Sequence, residues 1–336
     1  MKRVILLLCI VLVISCSVED TNDFEVLVSG LDTPWAIDFL PDGKMIFSER
    51  EGRVSILDKG VVREVGTIDV SELSESGLMG VAVDPEFNTN RFVYLYYTHE
   101  TGNKVSRFTL NDQLENELVL LDNIPSAIYH DGGRIKFGPD GKLYITTGDA
   151  TEPSSAQDLN SVAGKILRIN KDGTIPDDNP FGNYVFSYGH RNSQGIAWHP
   201  VTNDLFVSEH GPTRNDEINI ITKGKNYGWP AECTGVPDGF TNPIRCFTEF
   251  TLAPAGIAIH NNVLYVAALR GAQVRMLVLG DDHKTIVEEK VLFNDLGRVR
   301  DVVMHDGYLY IATSNWDGRG IPHSGDDKIL RIKLTR

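Results

Sequence analysis

FGPDGKLYITTGD, residues 137–149, is the most informative stretch for predicting the fold, because variants of it recur along the whole chain. It joins a polar turn containing Pro, Asp and Gly to an alternating β-rich run that ends in small or charged residues. The other copies are FLPDGKMIFSER (39–50), VDPEFNTNRFVYLYYT (83–98), WHPVTNDLFVSEHG (198–211), IHNNVLYVAALRG (259–271) and MHDGYLYIATSNWDG (304–318). Six such units at this spacing are typical of a β-propeller with about four short strands per blade.

We therefore predict an all-β, six-bladed β-propeller with four antiparallel strands per blade. No stretch keeps a 3.6-residue apolar period, so helices should be minor. A second strand type recurs in GKILRIN (164–170), DKILRIKL (327–334) and, more loosely, DEINIITKG (216–224). FEVLVSGL (24–31) is expected to supply a strand to the last blade and close the ring. A pair of β-sandwiches is the alternative, but it would not explain the repeat.

The N-terminus predicts export. Lys2 and Arg3 precede an apolar run over 4–14, which is too short to span a bilayer and fits the apolar region of a signal peptide. VISC then resembles a bacterial lipobox. This pattern predicts a signal peptide over 1–15, lipidation of Cys16, a tether over 16–23 and one propeller domain over 24–336, in the periplasm or on the outer cell surface. In the alternative, the signal peptide is an ordinary one and Cys16 is incidental.

The net charge and the cysteines limit which ligands and cross-links the protein can have. The net charge of −14 argues against nucleic acid, because phosphate binding needs a basic face. Cys233 and Cys246 flank a short Pro- and Gly-containing stretch, and in an exported protein they most simply form a disulfide. A metal-thiolate site is a poor alternative, because no His or second Cys pair lies nearby.

Five polar stretches lie next to the repeated strands, where loops of a propeller surround its axis: HDGGR (130–134), GHRNSQG (189–195), SEHGPTRNDE (208–217), ALRG (268–271) and GRVRD (297–301). Arginines stand out in these stretches of an otherwise acidic protein, among them Arg134, Arg191, Arg270, Arg298 and Arg300. Arginine binds carboxylates bidentately, so their convergence would indicate a polyanionic ligand. Each arginine could instead form a structural ion pair. Arg298 and Arg300 share one face of a strand and should repel each other unless an anion lies between them.

Several long motifs resemble the soluble quinoprotein glucose and aldose sugar dehydrogenases, which bind pyrroloquinoline quinone (PQQ) on six-bladed propellers. The motifs are PWAIDFLPDGKMIFSEREGRV, HDGGRIKFGPDGKLYITTGD, GHRNSQGIAWHP, SEHGP, DEINIITKGKNYGWP and GRVRDVV. They occur in the order of the family, from about residue 26 to the C-terminus.

The resemblance implies a catalytic role for two residues. His130 corresponds to the general base that takes the proton of the anomeric hydroxyl, a task suited to a group that titrates near neutrality. Gly132 and Gly133 are expected to keep the chain thin where sugar and cofactor stack. Arg191 corresponds to an arginine that contacts the quinone and polarises the oxygen that gains charge.

The resemblance also implies ligands for the cofactor and for Ca²⁺. Asn192 is expected to contact PQQ with Arg191, and Arg298 and Arg300 to bind its carboxylates. Arg270 and Thr251 are further cofactor contacts. The backbone carbonyls of Gly211 and Pro212 correspond to active-site Ca²⁺ ligands, and Glu217 and the Tyr227 backbone to a second, structural Ca²⁺ site.

Two departures from the family concern the substrate. Tyr129 replaces an aspartate that directly precedes the base in some relatives, so another group would have to orient His130. Glu75 replaces a glutamine that binds the sugar. We therefore expect a small-molecule substrate from a broader aldose range, or another alcohol or aldehyde, with an external electron acceptor. The alternatives are a lactonase-type, calcium-dependent hydrolase and a propeller that binds protein partners without catalysis.

Overall fold

The computed structural model describes residues 24–334 of the chain. The predicted signal peptide, lipidation site and tether lie outside these residues. The described strands form six antiparallel sheets of four strands each, so the predicted six-bladed propeller is confirmed. None of the helices between residues 24 and 334 is long and apolar enough to cross a membrane.

Blades 1 to 3 follow one another along the chain. Their strands are β2 (Pro34–Phe39), β3 (Met45–Glu49), β4 (Arg53–Asp58) and β5 (Val61–Thr67) in blade 1; β6 (Leu78–Val83), β7 (Phe92–His99), β8 (Gly102–Leu110) and β9 (Leu114–Ile124) in blade 2; and β10 (Ile135–Phe137), β11 (Leu143–Thr147), β12 (Lys165–Ile169) and β13 (Val185–Tyr188) in blade 3. A one-turn helix α1 (Phe87–Asn90) and a 3₁₀ helix (Pro153–Gln157) interrupt this all-β pattern.

Blades 4 to 6 repeat the arrangement, and β1 (Glu25–Ser29) joins the last of them. The strands are β14 (Ser193–Trp198), β15 (Leu205–Glu209), β16 (Asp216–Ile221) and β17 (Arg245–Phe247) in blade 4; β18 (Pro254–His260), β19 (Val263–Ala268), β20 (Gln273–Leu279) and β21 (Ile286–Phe293) in blade 5; and β22 (Val299–His305), β23 (Tyr308–Thr313) and β24 (Lys328–Lys333) in blade 6.

The repeated stretches of sequence are the same part of every blade. Each supplies the turn after the innermost strand and then the second strand, namely β3, β7, β11, β15, β19 and β23. The second recurring pattern gives the third strands β12, β16 and β24. Nearly every residue of the second strands is buried, including Phe47, Leu95 and Ile145, which is why this pattern stands out in the sequence.

The ring is closed by the N-terminal strand, as expected. β1 pairs antiparallel with β24, and Glu25 lies opposite Arg331. The Arg331 Nη2 atom lies 2.8 Å from a carboxylate oxygen of Glu25. Chain segments from both ends therefore share one sheet.

The innermost strands surround an axial channel. One apolar residue from each of them lines a cavity of about 610 Å³, which we call the lower cavity: Ile37, Val81, Ile135, Ile196, Ile257 and Val302. Inside it, Arg134 Nη1 donates to Asp301 Oδ2 over 2.9 Å, and the backbone N–H of Ile37 donates to the same oxygen. Arg134 therefore forms a structural ion pair and is not part of the convergent arginine set.

Candidate active site

A second cavity has a volume of about 370 Å³. It lies at the end of the propeller where the innermost strands begin and the second strands end. We call it the upper cavity. The predicted site residues on its wall are Glu75, His130, Arg191, Gly211, Pro212, Thr251, Arg270 and Arg298. Tyr129, His210, Asp216 and Arg319 also line it. Asn192, Arg300, Glu217 and Tyr227 are not on the wall.

His130 is held by a buried carboxylate. Its Nδ1 lies 2.7 Å from Asp149 Oδ1. Asp149 is fully buried and also accepts the Trp229 indole N–H over 2.8 Å and the Thr151 backbone N–H over 2.9 Å. Because Nδ1 is engaged, Nε2 is the ring nitrogen available to a ligand in the upper cavity.

Asp149 is the functional residue that sequence reasoning missed. It ends the fold-deciding stretch 137–149, directly after the second strand of blade 3, and lies 19 positions beyond His130. A signal was present, because residues that follow second strands lie at the same end of the ring as those that precede innermost strands. Asp149 is the group that orients His130 where Tyr129 has replaced the aspartate of some relatives.

The two glycines that follow Asp131 allow neighbouring strands to pack closely against this segment. Gly132 and Gly133 have φ angles of 68° and 97°, which favour glycine. A Cβ on Gly132 would lie 2.6 Å from the carbonyl oxygen of Thr146, and one on Gly133 would lie 2.6 Å from Met79 Sδ. The expectation that these glycines leave room for sugar and cofactor is therefore wrong; neighbouring strands occupy the space.

Arg191 and His210 present unsatisfied polar atoms. Arg191 Nη1 donates to the backbone carbonyls of His210 and Gly211 over 3.1 and 2.5 Å, and its guanidinium lies 5.3 Å from the ring centre of Trp229. Its Nε and His210 Nε2 are buried without a hydrogen-bond partner among the described residues. Burial lowers the pKa of His210 to about 3, so this ring is neutral at pH 7.

Asn192 and Glu75 support the wall around His130. Asn192 is fully buried; its Oδ1 accepts the backbone N–H of Gly132 over 3.0 Å, and its Nδ2 lies 3.4 Å from Glu75 Oε2. The same Glu75 oxygen accepts the backbone N–H of His130 over 3.0 Å. Asn192 thus stands behind the upper cavity, with both ends of its amide bonded to protein.

Arg298 directly precedes β22 and Arg300 lies within it, and the anion between their guanidinium groups is part of the protein. Arg298 Nη2 and Arg300 Nη2 lie 2.7 and 3.8 Å from Asp317 Oδ2. Burial would raise the pKa of Asp317, but the two arginines outweigh it and lower that pKa. Asp317 therefore relieves the repulsion that was expected without a ligand.

Arg300 lies beneath the wall. Its Nη1 donates to Gln194 Oε1 over 2.7 Å, and its buried Nε has no hydrogen-bond partner between residues 24 and 334. Burial lowers its pKa to about 9. Thr251 and Arg270 do reach the wall, and Arg270 is exposed.

The predicted Ca²⁺ ligands occupy two places. Gly211 and Pro212 line the upper cavity beside Asp216, whose pKa burial raises to about 6. Glu217 lies on β16 opposite Glu209 of β15, and burial together with the charge of Glu209 raises the pKa of Glu217 to about 8. No group of three or more His, Cys, Asp or Glu side chains among residues 24–334 could hold a metal ion.

Cys233 and Cys246 form a disulfide, with their Cα atoms 5.9 Å apart. Cys246 belongs to β17, where it pairs with Glu217 of β16. The bridge therefore ties the long loop after β16 to the outer strand of blade 4.

Fold and site define a class: six-bladed propellers with an arginine-rich cavity and a carboxylate-oriented histidine at one end of the axis. The sequence model of the Glucose / Sorbosone dehydrogenase family matches residues 31–330. The chain belongs to this family.

Relatives with similar sequences or structures carry related names. The chain is 35% identical over 341 residues to the aldose sugar dehydrogenase YliI of Escherichia coli, covering 89% of this chain and 91% of that protein. It is 35% identical to quinoprotein glucose dehydrogenase B of Acinetobacter calcoaceticus over 63% of this chain and 53% of that one. The PQQ-bound aldose sugar dehydrogenase of Streptomyces coelicolor superposes with a TM-score of 0.87 at 36% identity, covering 91% of this chain and 96% of that one.

Proposed function

We propose that the protein is a PQQ- and Ca²⁺-dependent sugar dehydrogenase that oxidises an aldose at C1 to the lactone. The observation that carries this proposal is the His130–Asp149 pair in the arginine-lined upper cavity. When bound, PQQ would supply the quinone that accepts the hydride from C1. The sugar would lose a hydride and a proton, and the chain's own residues handle the proton.

His130 would take that proton at Nε2. Asp149 fixes the tautomer with the proton on Nδ1 and stabilises the positive ring once Nε2 is protonated. Trp229 and Thr151 hold Asp149 in place through their N–H groups. Arg191, which also lines the upper cavity, would supply positive charge to an oxygen that gains charge in the reaction.

The arrangement of donors fits a ligand with several acidic oxygens. Arg191 Nε and His210 Nε2 are buried and unpartnered on the wall of the upper cavity, and Arg300 Nε is unpartnered beneath it. Buried donors without partners are costly unless a ligand completes them. Four arginines would bind PQQ: Arg191, Arg270, Arg298 and Arg300. Thr251 would be a further polar contact, and Asn192 would support the wall of the upper cavity from behind.

Backbone oxygens fit a hard cation next to that ligand. The carbonyls of Gly211 and Pro212 would hold Ca²⁺, although the Gly211 oxygen also accepts from Arg191; a carbonyl oxygen has two lone pairs. When bound, the cation would act as a Lewis acid on developing negative charge. For the second site, Glu217 and the Tyr227 carbonyl would be joined by Asn219 Oδ1, a buried oxygen without a hydrogen-bond partner among residues 24–334.

The substrate side of the upper cavity supports a broad aldose range. Tyr129 lines it in place of a carboxylate and leaves 41% of its surface exposed. An exposed aromatic ring offers a face to any pyranose, whereas paired carboxylates would select particular hydroxyl groups. Glu75 remains a candidate sugar ligand, and an external acceptor would reoxidise the cofactor.

A reconstitution assay tests the proposal. Purified apo-protein is mixed with PQQ and Ca²⁺, and dye reduction is measured with a panel of aldoses, other alcohols and aldehydes. We expect aldose-dependent reduction that needs both additions, with Mg²⁺ replacing Ca²⁺ poorly because it requires a tighter octahedron. Absence of turnover with every substrate would refute the proposal, and full activity in metal-free buffer would refute its Ca²⁺ part.

Export and lipid anchoring at Cys16 are proposed from the N-terminal sequence alone. Radiolabelled palmitate should enter the wild-type chain in a bacterial host but not a Cys16→Ser variant. Equal labelling of both chains would exclude Cys16 as the attachment site.

A further inference from the structure

The carboxylate of Glu75 is bonded to protein at both oxygens. Glu75 lies in the loop between β5 and β6, and 14% of its side chain is exposed. Its Oε2 accepts the backbone N–H of His130 over 3.0 Å, and its Oε1 accepts Arg319 Nη1 over 2.7 Å. The two oxygens thus join the segment that carries His130 to the last blade.

The backbone of His130 needs such a contact. Its φ of 68° lies in the left-handed region, which a non-glycine residue adopts only at an energetic cost. Asp149 holds the imidazole ring, and the His130 carbonyl accepts the backbone N–H of Ala150 over 3.2 Å. The remaining backbone group, the N–H of His130, is held by Glu75.

Arg319 anchors Glu75 from blade 6. It lies in the loop between β23 and β24, and its Nη2 donates to the Ser74 hydroxyl over 3.1 Å. Its guanidinium lies 5.1 Å from the ring centre of Tyr129, the residue before His130. Arg319 therefore contacts the neighbours of both Glu75 and His130.

The charge of Glu75 makes it a permanent acceptor. Burial would raise its pKa, but His210 at the low pH where that ring is protonated, together with Arg319 and the His130 N–H, outweighs burial and lowers that pKa to about 2. An ionised carboxylate accepts hydrogen bonds only, and a bond to it is stronger than one to a neutral oxygen. The contact to the His130 N–H is therefore present throughout the range in which a histidine base would work.

We propose that Glu75 and Arg319 are positioning residues that fix the backbone of His130, with Arg319 acting through Glu75. The expected effect of these residues on kcat rests on the proposed function, because it requires His130 to be the base. The contact itself does not depend on that function and can be measured in apo-protein.

The kinetic test separates positioning from sugar binding. Displacing a catalytic group slightly lowers kcat by up to about 10²-fold. We expect Glu75→Ala to lower kcat roughly 10- to 100-fold with KM changed less than about threefold, and Arg319→Met to lower kcat several-fold. Glu75→Gln should restore part of kcat, since its amide oxygen can still accept the His130 N–H while its NH2 group loses the bond from Arg319. Glu72→Ala is the matched control, because Glu72 lies in the same loop and pairs with Arg50.

The second measurement needs no cofactor. Labelling with ¹⁵N-histidine gives nine backbone amides, and the His130→Gln variant identifies the signal of His130. In Glu75→Ala the His130 amide proton should move upfield and exchange at least tenfold faster, while Glu72→Ala should leave it unchanged. An unaltered His130 amide in Glu75→Ala would overturn the proposal, as would a raised KM with retained kcat. If the wild-type protein oxidises no sugar, the proposed function fails, and the amide signal alone decides whether Glu75 holds His130.

Discussion

The two cavities on the propeller axis differ in how completely the protein satisfies their polar groups. The lower cavity is larger, about 610 Å³ against about 370 Å³. Two carboxylates on its wall are bonded to protein: Asp38 accepts the backbone N–H groups of Phe39 and Val83, and Asp301 accepts from Arg134 and Ile37. Among the described residues, no buried unpartnered polar atom belongs to a residue that lines it.

The upper cavity shows the opposite pattern. Arg191 and His210 each have a buried nitrogen that lacks a hydrogen-bond partner among the described residues. One ring nitrogen of His130, Nε2, is available to a ligand. Buried nitrogens without partners, rather than volume, therefore distinguish the proposed ligand site on this axis. Mutations at the two cavities should have different consequences.

Removing the proposed base should have the largest effect. We expect His130→Gln to lower kcat by about 10²-fold or more, the order expected for loss of a general base. PQQ should still bind, because the arginines remain. Lys136→Gln is the control in the lower cavity, whose wall includes Lys136, and its kcat should stay within about twofold of wild type. Near-wild-type turnover in His130→Gln, or an equal loss in Lys136→Gln, would contradict the distinction between the cavities.

Replacing the orienting carboxylate should cost somewhat less. Asp149→Asn keeps the size of the side chain but removes the charge that selects the tautomer of His130, and we expect kcat to fall roughly 10- to 100-fold with KM little changed. Steady-state kinetics with the reconstituted enzyme measure this. A rise in KM with unchanged kcat would mean that Asp149 shapes the substrate site instead.

Arg298 combines the two kinds of contact, because it pairs with a protein carboxylate and also lines the upper cavity. Arg298→Ala should weaken PQQ binding by roughly 10- to 100-fold, since a charge-assisted hydrogen bond contributes about 1.5–3 kcal/mol. It should also lower the melting temperature of the apo-protein, because Asp317 loses its nearest cation. The double variant Arg298→Ala/Asp317→Ala should regain much of that stability. Unchanged PQQ affinity in Arg298→Ala would leave the arginine with a structural role only.

The smallest effect concerns the pH dependence of stability. The pKa of Glu217 is raised in the fold, so its contribution is fully present below about pH 4.5 and is lost as pH rises toward 8. In chelator-treated protein, the melting temperature of the wild type should fall between pH 5 and 8 by about 3 °C or more beyond that of Glu217→Gln. Ca²⁺ should reduce this difference if it binds there. Parallel pH profiles of both chains would exclude a raised pKa at Glu217.

The parts of the molecule that were predictable from sequence depend on local patterns. The repeated turn and second strand identified six blades because alternation and turn residues are local signals. The segment 24–31 was assigned to the last blade for the same reason. His130, Arg191 and the arginines of blades 5 and 6 followed from motifs at the ends of these strands.

The missed contacts join residues that are distant in sequence. Asp149 reaches His130 across 19 positions, Asp317 reaches Arg298 across 19, and Asp301 reaches Arg134 across 167. Which carboxylate meets which cation depends on strand register and on the order of blades around the ring. A sequence motif shows which residue type lies at which end of a strand. It does not show which residue of another strand or blade will be its ion-pair or hydrogen-bond partner.

We propose that PQQ binds in the upper cavity and that an aldose is oxidised there. The most direct measurement is the absorbance spectrum of PQQ-loaded protein with Ca²⁺, recorded without an external acceptor before and after an aldose is added. We expect the quinone absorbance of wild-type protein to bleach to that of the reduced quinol within a single turnover, and that of His130→Gln to bleach about 10²-fold more slowly. A quinone spectrum unchanged by every aldose, or equal bleaching rates in both proteins, would contradict it.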